Sequence, residues 1–287
     1  MRWAPAFAGE QFMDKLPPLR DVIARHGLLA KRSLGQNFLL DLNLTAKIAR
    51  AAGNLKDKNV IEIGPGPGGL TRALLETDAA HIHAVERDDR CVAALQDVVA
   101  ASGGRLTVHA RDALDVDYEA ICPAPRVLVA NLPYNIATPL LIGWLKQVEL
   151  FDSLTLMFQR EVADRLAAAP SSGEYGRLSV IVQWLCDVEK KFDIPPEAFT
   201  PPPKVTSSVV RLTPKRGRTD GTDFATLEKV TAAAFGQRRK MLRQSLKSLN
   251  VDTARLLEET ALPPTARAEE IDVAGFLRLA AVYKKIS

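Results

Sequence analysis

The sequence predicts an α/β fold built on a mostly parallel, doubly wound sheet, and three observations carry that prediction. Between residues 59 and about 159, short β-branched runs alternate with helical stretches, a pattern that favours right-handed crossovers and a sheet covered by helices. A burst of glycine in "NVIEIGPGPGGLTRALLE" (59–76) joins the first of those strands to its helix. The chain, 287 residues with 47 % apolar and 25 % charged side chains, has the make-up of an ordinary globular protein and is long enough for one large domain plus a small one.

Taken in order, "NVIEI" (59–63), "HIHAVE" (81–86), "RLTVHA" (105–110), "RVLVAN" (126–131) and "SLTLMF" (153–158) read as strands. "GGLTRALLE", "DRCVAALQDVVAA" and "TPLLIGWLKQ" read as helices between some of them. A later strand, "VTSSVVRL" (205–212), follows the proline-rich loop "IPPEAFTPPPK". After "TPKRGRTDGTD" only helix-forming segments follow, which puts a domain boundary near 215–222. Trp144 and Trp184 lie in apolar helical stretches and are expected in the core. The first dozen residues have no periodic pattern, precede an in-frame Met13 and are read as a disordered extension.

No apolar run approaches the ~20 residues of a membrane span, and the N-terminus lacks a signal-peptide layout. Cys91, Cys122 and Cys186 fit neither a disulfide nor a metal framework, so a reducing cytoplasm is expected. His81 and His83 share one side of a strand but have no third ligand in sight, and no metal is expected. The net charge of +4 is unevenly placed. Residues 215–250 carry nine Lys or Arg against three acids, and Lys31 and Arg32 form a second small cluster. Both a polyanion-binding surface and a solvated helix face fit that distribution.

The glycine turn alone leaves its ligand open. Gly64, Gly66 and Gly69 satisfy the dinucleotide pattern G-x-G-x-x-G. Glu62 with Gly64, Gly66 and Gly68 equally satisfies the E-x-G-x-G-x-G turn of S-adenosylmethionine enzymes. Glu86, ending the next strand, suits the two ribose hydroxyls of either ligand. Asp112, just past the third strand, stands where S-adenosylmethionine enzymes bond the adenine amine.

"NLPY" (131–134) separates the readings. An exocyclic adenine amine is a poor nucleophile because its lone pair is delocalised into the ring. Two acceptors, the Asn131 side-chain oxygen and the Leu132 carbonyl held by Pro133, would favour the localised pyramidal nitrogen of the transition state. Tyr134 offers a flat face to an unstacked base, a contact worth roughly 1–3 kcal/mol. A dehydrogenase reading gives no role to Asp112, Asn131 and Tyr134 as a set.

With "LGQNFLLD" (34–41), "VIEIGPGPGGLT" (60–71), "NLPYNIATPLL" (131–141), "MFQREVADRL" (157–166), "YGRLSV" (175–180), "FTPPPKVTSSVVRL" (199–212) and "FGQRRKMLRQSL" (235–246), the chain resembles the ribosomal RNA adenine N6,N6-dimethyltransferases of the KsgA type. The resemblance runs from about residue 31 to 250 and more loosely to the end. It implies a Rossmann-like, S-adenosylmethionine-dependent methyltransferase with a seven-stranded sheet, one antiparallel strand near an edge, and a small helical C-terminal domain. The domains are then an extension (1–30), a methyltransferase domain (31–215) and a helical rRNA-binding domain (216–287). The implied substrate is a pair of adjacent adenines in the 3′-terminal hairpin loop of 16S rRNA in the small (30S) subunit, with the enzyme a cytoplasmic monomer.

Carried over by motif, Asn37, Leu39, Glu62, Gly64, Gly66, Glu86, Asp112 and Asn131 line the cofactor site. Asn131, Leu132, Pro133, Tyr134 and Phe199 act on the base. From the charge clusters, Lys31, Arg32, Arg238, Arg239, Lys240 and Arg243 are expected to grip RNA. Thr206-Ser207 departs from a frequent Asp-Ser at the strand start, without touching the assigned chemistry. Two alternatives accompany this reading: a non-catalytic checkpoint of subunit assembly, and an Erm-type enzyme of the large subunit.

Overall fold

A computed structural model describes residues 16–28, 37–218 and 220–287. The chain divides into two compact units, Met1–Arg160 with Lys190–Thr213, and Glu161–Glu189 with Pro214–Ser287. The chain therefore passes between units three times, and composition marks only the last crossing.

The first unit holds helix α1 (Leu19–Arg25), β1 (Phe38–Leu39), α2 (Leu42–Ala51), β2 (Asn59–Ile63), α3 (Gly69–Leu75), β3 (His81–Glu86), α4 (Asp89–Ala94) and α5 (Gln96–Ala101). It continues through β4 (Leu106–Ala110), α6 (Tyr118–Ile121), β5 (Arg126–Asn131), α7 (Tyr134–Lys146) and β6 (Ser153–Gln159). Helices α8 (Arg160–Ala167) and α9 (Arg177–Leu185) follow, then β7 (Cys186–Ile194), β8 (Phe199–Thr200) and β9 (Ser207–Pro214). Helices α10 (Phe224–Gly236), α11 (Leu242–Ser245), α12 (Thr253–Glu259) and α13 (Val273–Ile286) complete the chain.

The seven-stranded sheet has the order β4-β3-β2-β5-β6-β9-β7. Strands β2 to β6 pair in parallel, and β9 runs antiparallel to β6. The mostly parallel Rossmann-like sheet expected from the motifs is thus present, with its antiparallel strand next to one edge. The central strands are buried on both faces, which is why they read as unbroken Val, Ile and Leu runs. Val60, Ile61, Val127, Leu128 and Val129 are wholly inaccessible to solvent.

Because strand order reverses between β2 and β5, the loops after β2 and β5 diverge and leave a crevice at their carboxyl ends. A two-residue ribbon adjoins it: Phe38 pairs with Thr200 and Leu39 with Phe199 in the antiparallel β1–β8 pair. Asp41 caps α2 by accepting the Asn43 and Leu44 amides, which fixes the turn straight after that ribbon. Trp144 is buried and its indole donates to Tyr118 at 2.6 Å, the core position expected of it.

In the second unit α10 packs against α9 and α13. Trp184 of α9 is buried there, its indole donating to Asp220 at 3.2 Å.

Candidate functional site

A cavity of about 230 Å³ opens at the carboxyl ends of β2, β3, β4 and β5, all within the first unit. Its wall includes every cofactor and base-handling residue expected from the sequence: Asn37, Leu39, Glu62, Gly64, Gly66, Glu86, Asp112, Asn131, Leu132, Pro133, Tyr134 and Phe199. Most arrive at or just past the carboxyl end of a parallel strand, while Asn37, Leu39 and Phe199 come from the antiparallel β1–β8 ribbon and the residue before it.

The glycine turn is shaped by close approach. Gly66 has φ +56°, and a Cβ there would lie 3.1 Å from the Phe38 ring. A Cβ on Gly69 would meet the Leu39 carbonyl at 2.9 Å, so the start of α3 can pack on the ribbon only without a side chain. The result is a bare backbone loop facing the cavity, with a helix N-terminus behind it.

Two carboxyl groups stand beneath this loop in different states. Glu62 is 1 % exposed, and its Oε2 has no hydrogen-bond partner among the described residues. Burial pushes its pKa up to about 8, the Thr71 hydroxyl opposing the rise and the nearby Glu86 charge adding to it. Glu86 is also buried, but its carboxylate accepts three backbone amides: Gly66 at 3.1 Å, Arg87 at 2.9 Å and Asp88 at 2.9 Å. Burial raises its pKa while those three donors hold it down. Of the roughly four lone-pair sites on a carboxylate, little remains free for a ligand beyond one. The neighbouring Asp88 caps α4, accepting the Arg90 amide at 3.1 Å, so Glu86 has no capping duty.

Asp112 caps the short turn after β4, accepting Leu114 N–H at 3.0 Å. Its other oxygen accepts the Arg87 guanidinium at 2.9 Å. These bonds, the backbone one first, hold its pKa below the usual carboxylate range. Arg87 lines the same cavity and had no signal in the sequence beyond its place after Glu86.

"NLPY" is the junction of β5 and α7. Asn131 is the last strand residue, Pro133 caps the helix and Tyr134 is its first residue. No hydrogen bond to the Asn131 amide is found among the described residues, although it lines the cavity. Tyr134 is half-buried, and its hydroxyl lies 2.6 Å from that of Ser207, a residue the sequence reading had no reason to choose. Phe199 is 3 % exposed and packs with Leu39 and Met157 while forming part of the wall.

The remaining residues singled out from the sequence stand elsewhere. Lys31 and Arg32 lie outside the described residues. Arg238, Arg239, Lys240 and Arg243 belong to the second unit and are exposed. Arg238 is engaged there, paired with Glu269 at 2.9 Å and donating to the Gly173 carbonyl. His83 meets His109 at 3.2 Å and stacks on it, while His81 bonds Thr107, forming a half-buried imidazole row on β3 and β4. Burial lowers the pKa of His83 to about 4.

The fold and cavity define a class I-type α/β methyltransferase architecture, and the comparisons identify the family. The chain belongs to the ribosomal RNA adenine dimethylase family, whose model matches residues 27–285. It is 59 % identical to the ribosomal RNA small subunit methyltransferase A of Rhodospirillum rubrum over 95 % of this chain and 94 % of that one. It is 60 % identical to the protein of the same name from Paramagnetospirillum magneticum, over 93 % and 95 %. Among solved structures it resembles a dimethyladenosine transferase from Plasmodium falciparum, with 28 % identity, a TM-score of 0.75, and coverage of 85 % of this chain and 96 % of that one. It also resembles the 23S rRNA methyltransferase ErmE, with 25 % identity, a TM-score of 0.64, and coverage of 86 % and 100 %. The chain is an rRNA-modifying methyltransferase, and among the described residues no helix is long and apolar enough to cross a membrane.

Proposed function

We propose that this chain uses S-adenosylmethionine to dimethylate the N6 amines of two adjacent adenines in the 3′-terminal hairpin loop of 16S rRNA, in the cytoplasm, during maturation of the 30S subunit. The observation carrying this reading is that Asn131 to Tyr134 open onto the same cavity as Glu62, Glu86 and Asp112. The residues fit the cofactor chemically. A glycine loop with positive φ at Gly64, Gly66 and Gly68, a buried Glu62 whose Oε2 has no partner among the described residues, and two further acceptors at Glu86 and Asp112 suit a ligand with an ammonium, a ribose and an adenine. When bound, S-adenosylmethionine supplies an electrophilic methyl carbon on a sulfonium.

The protein's own contribution is to orient and polarise. The Asn131 side-chain oxygen and the Leu132 carbonyl accept from the two amine hydrogens, which frees the N6 lone pair for in-line attack. Pro133 stiffens the turn that presents them, and Tyr134 with Phe199 holds the unstacked base. The alkylated ammonium is acidic enough to lose its proton to water, so no strong base is needed. The once-methylated amine keeps a hydrogen and a lone pair for a second round. Residues 216–287 form the rRNA-binding part, through Arg239, Lys240 and Arg243, with Arg238, Lys31 and Arg32 as further candidates.

The test is methyl transfer from labelled S-adenosylmethionine to small subunits lacking the modification, with large subunits and naked rRNA in parallel. Dimethyladenosine confined to paired adenines of the small subunit is expected. Label on the large subunit would move the chain to the Erm-type activity, and binding without label would leave an assembly checkpoint.

A further inference from the structure

The proposed stacking role explains why residue 134 is aromatic, but a phenylalanine would stack as well. The hydroxyl requires its own account, and the structure provides a partner for it. Tyr134 Oη and Ser207 Oγ lie 2.6 Å apart, across 73 residues of sequence. Ser207 is fully buried and opens β9, where it pairs with Gln159, the last residue of β6.

The topology makes this meeting possible. Strands β5 and β6 end at the site, while β9 runs antiparallel to β6 and so begins there. Its first residue is thus delivered to the same end of the sheet as Asn131. Consecutive strand residues face opposite ways, and the neighbouring Ser208 hydroxyl donates instead to Asp193 at 2.6 Å. Ser207 alone of the pair faces the tyrosine.

We propose that Ser207 is a positioning residue for the target base: its hydroxyl tethers the Tyr134 phenol and fixes the tilt of the ring on which the base stacks. One end of the tyrosine is held by the first turn of α7, the other by a strand locked into the central sheet. The ring is pre-set before the base arrives, which lowers the ordering cost of binding in the reactive pose. This inference rests on the proposed adenine methylation.

The experiment compares the parent with Ser207→Ala, Tyr134→Phe and the double variant. It measures kcat and KM for methyl transfer to unmodified small subunits, S-adenosylhomocysteine affinity by calorimetry, and Tm. Each single variant is expected to lose about five- to tenfold in kcat, the scale of one neutral hydrogen bond. The double variant should lose no more than either single one, because both remove the same bond. S-adenosylhomocysteine affinity should stay within about twofold, since neither hydroxyl is assigned to the cofactor. Parent-like kcat in Ser207→Ala, or losses that multiply in the double variant, would overturn the tether. Should Ser207→Ala fail to fold, Tyr134→Phe decides, and full turnover there overturns it. A parent that transfers no methyl group sinks the reaction itself, an outcome distinct from an active parent with an indifferent Ser207.

Discussion

The two compact units treat buried polarity in opposite ways. In the first, the buried polar side chains include Glu62, Arg72, Glu86 and Arg126. In the second, those found among the described residues are hydroxyls: Ser179, Thr231, Ser245 and Thr260. Thr231 and Thr260 return their hydrogen bonds to carbonyls four residues back in their own helices, at 2.7 and 2.8 Å. That is an inexpensive way to bury a polar atom, and it serves the helix alone. Burying a carboxyl costs far more unless it is protonated or well bonded. Glu86 meets the cost with three amides, and Glu62 meets it by holding its proton. Strongly perturbed acids cluster at ligand sites, which supports the proposed cofactor role of both. In the helical unit the charge is outside, on Arg239, Lys240 and Arg243, where it suits a partner as large as RNA.

The largest expected effect breaks the chemistry while leaving the scaffold intact. Asn131→Ala should lower methyl transfer by roughly two to three orders of magnitude, the scale of losing one preorganised electrostatic contact. Its Tm should barely move, because no hydrogen bond to the Asn131 amide is found among the described residues. Label incorporation and a melting curve on the same preparation check both halves. Near-normal turnover would remove Asn131 from the mechanism.

The helical unit gives the next effect. Replacing Arg239, Lys240 and Arg243 together by Ala should weaken rRNA binding about tenfold or more at physiological salt. It should also flatten the salt dependence by roughly 0.7–0.9 per lost phosphate contact. Arg238→Ala should flatten it less, since Glu269 and the Gly173 carbonyl already engage that guanidinium. Filter binding across a salt series separates the two. A full single-contact loss of about 0.7–0.9 in slope from Arg238→Ala would mean that the ion pair opens on binding.

How much of this was legible in the sequence follows from what each element buries. Strands β2, β3 and β5 occupy the residues read from their apolar runs, because strands buried on both faces need little besides β-branched side chains. Strand β7 was not read. It lies at a sheet edge, and "CDVEKKFDI" sets five charged residues among its apolar ones, directly after α9 with no turn residue between. The stretch 89–101 was read as one helix and is broken at Leu95, which no proline or glycine announces. Helix α7 begins at Tyr134, four residues before the predicted start at Thr138, because Pro133 acts as its cap and Pro139 is tolerated inside it. Glu86 and Asn131 were visible because each ends a strand marked by its apolar run, and Asp112 because it stands two residues past the next strand. Their partners were not. Arg87 against Asp112 joins the ends of neighbouring strands, and Ser207 against Tyr134 depends on the order β5-β6-β9, which only tertiary structure defines.

A smaller effect tests whether the buried and exposed modes meet at Asp112. Its ion pair with Arg87 is half in solvent, with side chains 59 % and 33 % exposed, so screening limits it to about 1 kcal/mol or less. Arg87→Leu should therefore weaken S-adenosylhomocysteine binding only about three- to fivefold by calorimetry. In an Asp112→Asn background the same change should have little further effect. A full loss from Arg87→Leu alone would make the arginine a ligand contact in its own right.

The last test is the sharpest probe of the contrast, because it reads one proton on Glu62. In the folded protein its pKa is about 8, against an ordinary value of 4.5. Below pH 4.5 the carboxyl is protonated folded or unfolded, and its burial carries no ionisation penalty. Between pH 4.5 and 8 the unfolded chain ionises it while the folded protein keeps it neutral, so stability drains away as pH rises. Above about 8 the penalty is complete. Glu62→Gln has no proton to lose, so its Tm should gain on the parent from pH 5 to pH 8.5. A difference independent of pH would mean that Glu62 is already charged and paired in the folded protein. The first unit would then bury its two glutamates alike, and the division of labour between a neutral Glu62 and an amide-bound Glu86 would fail.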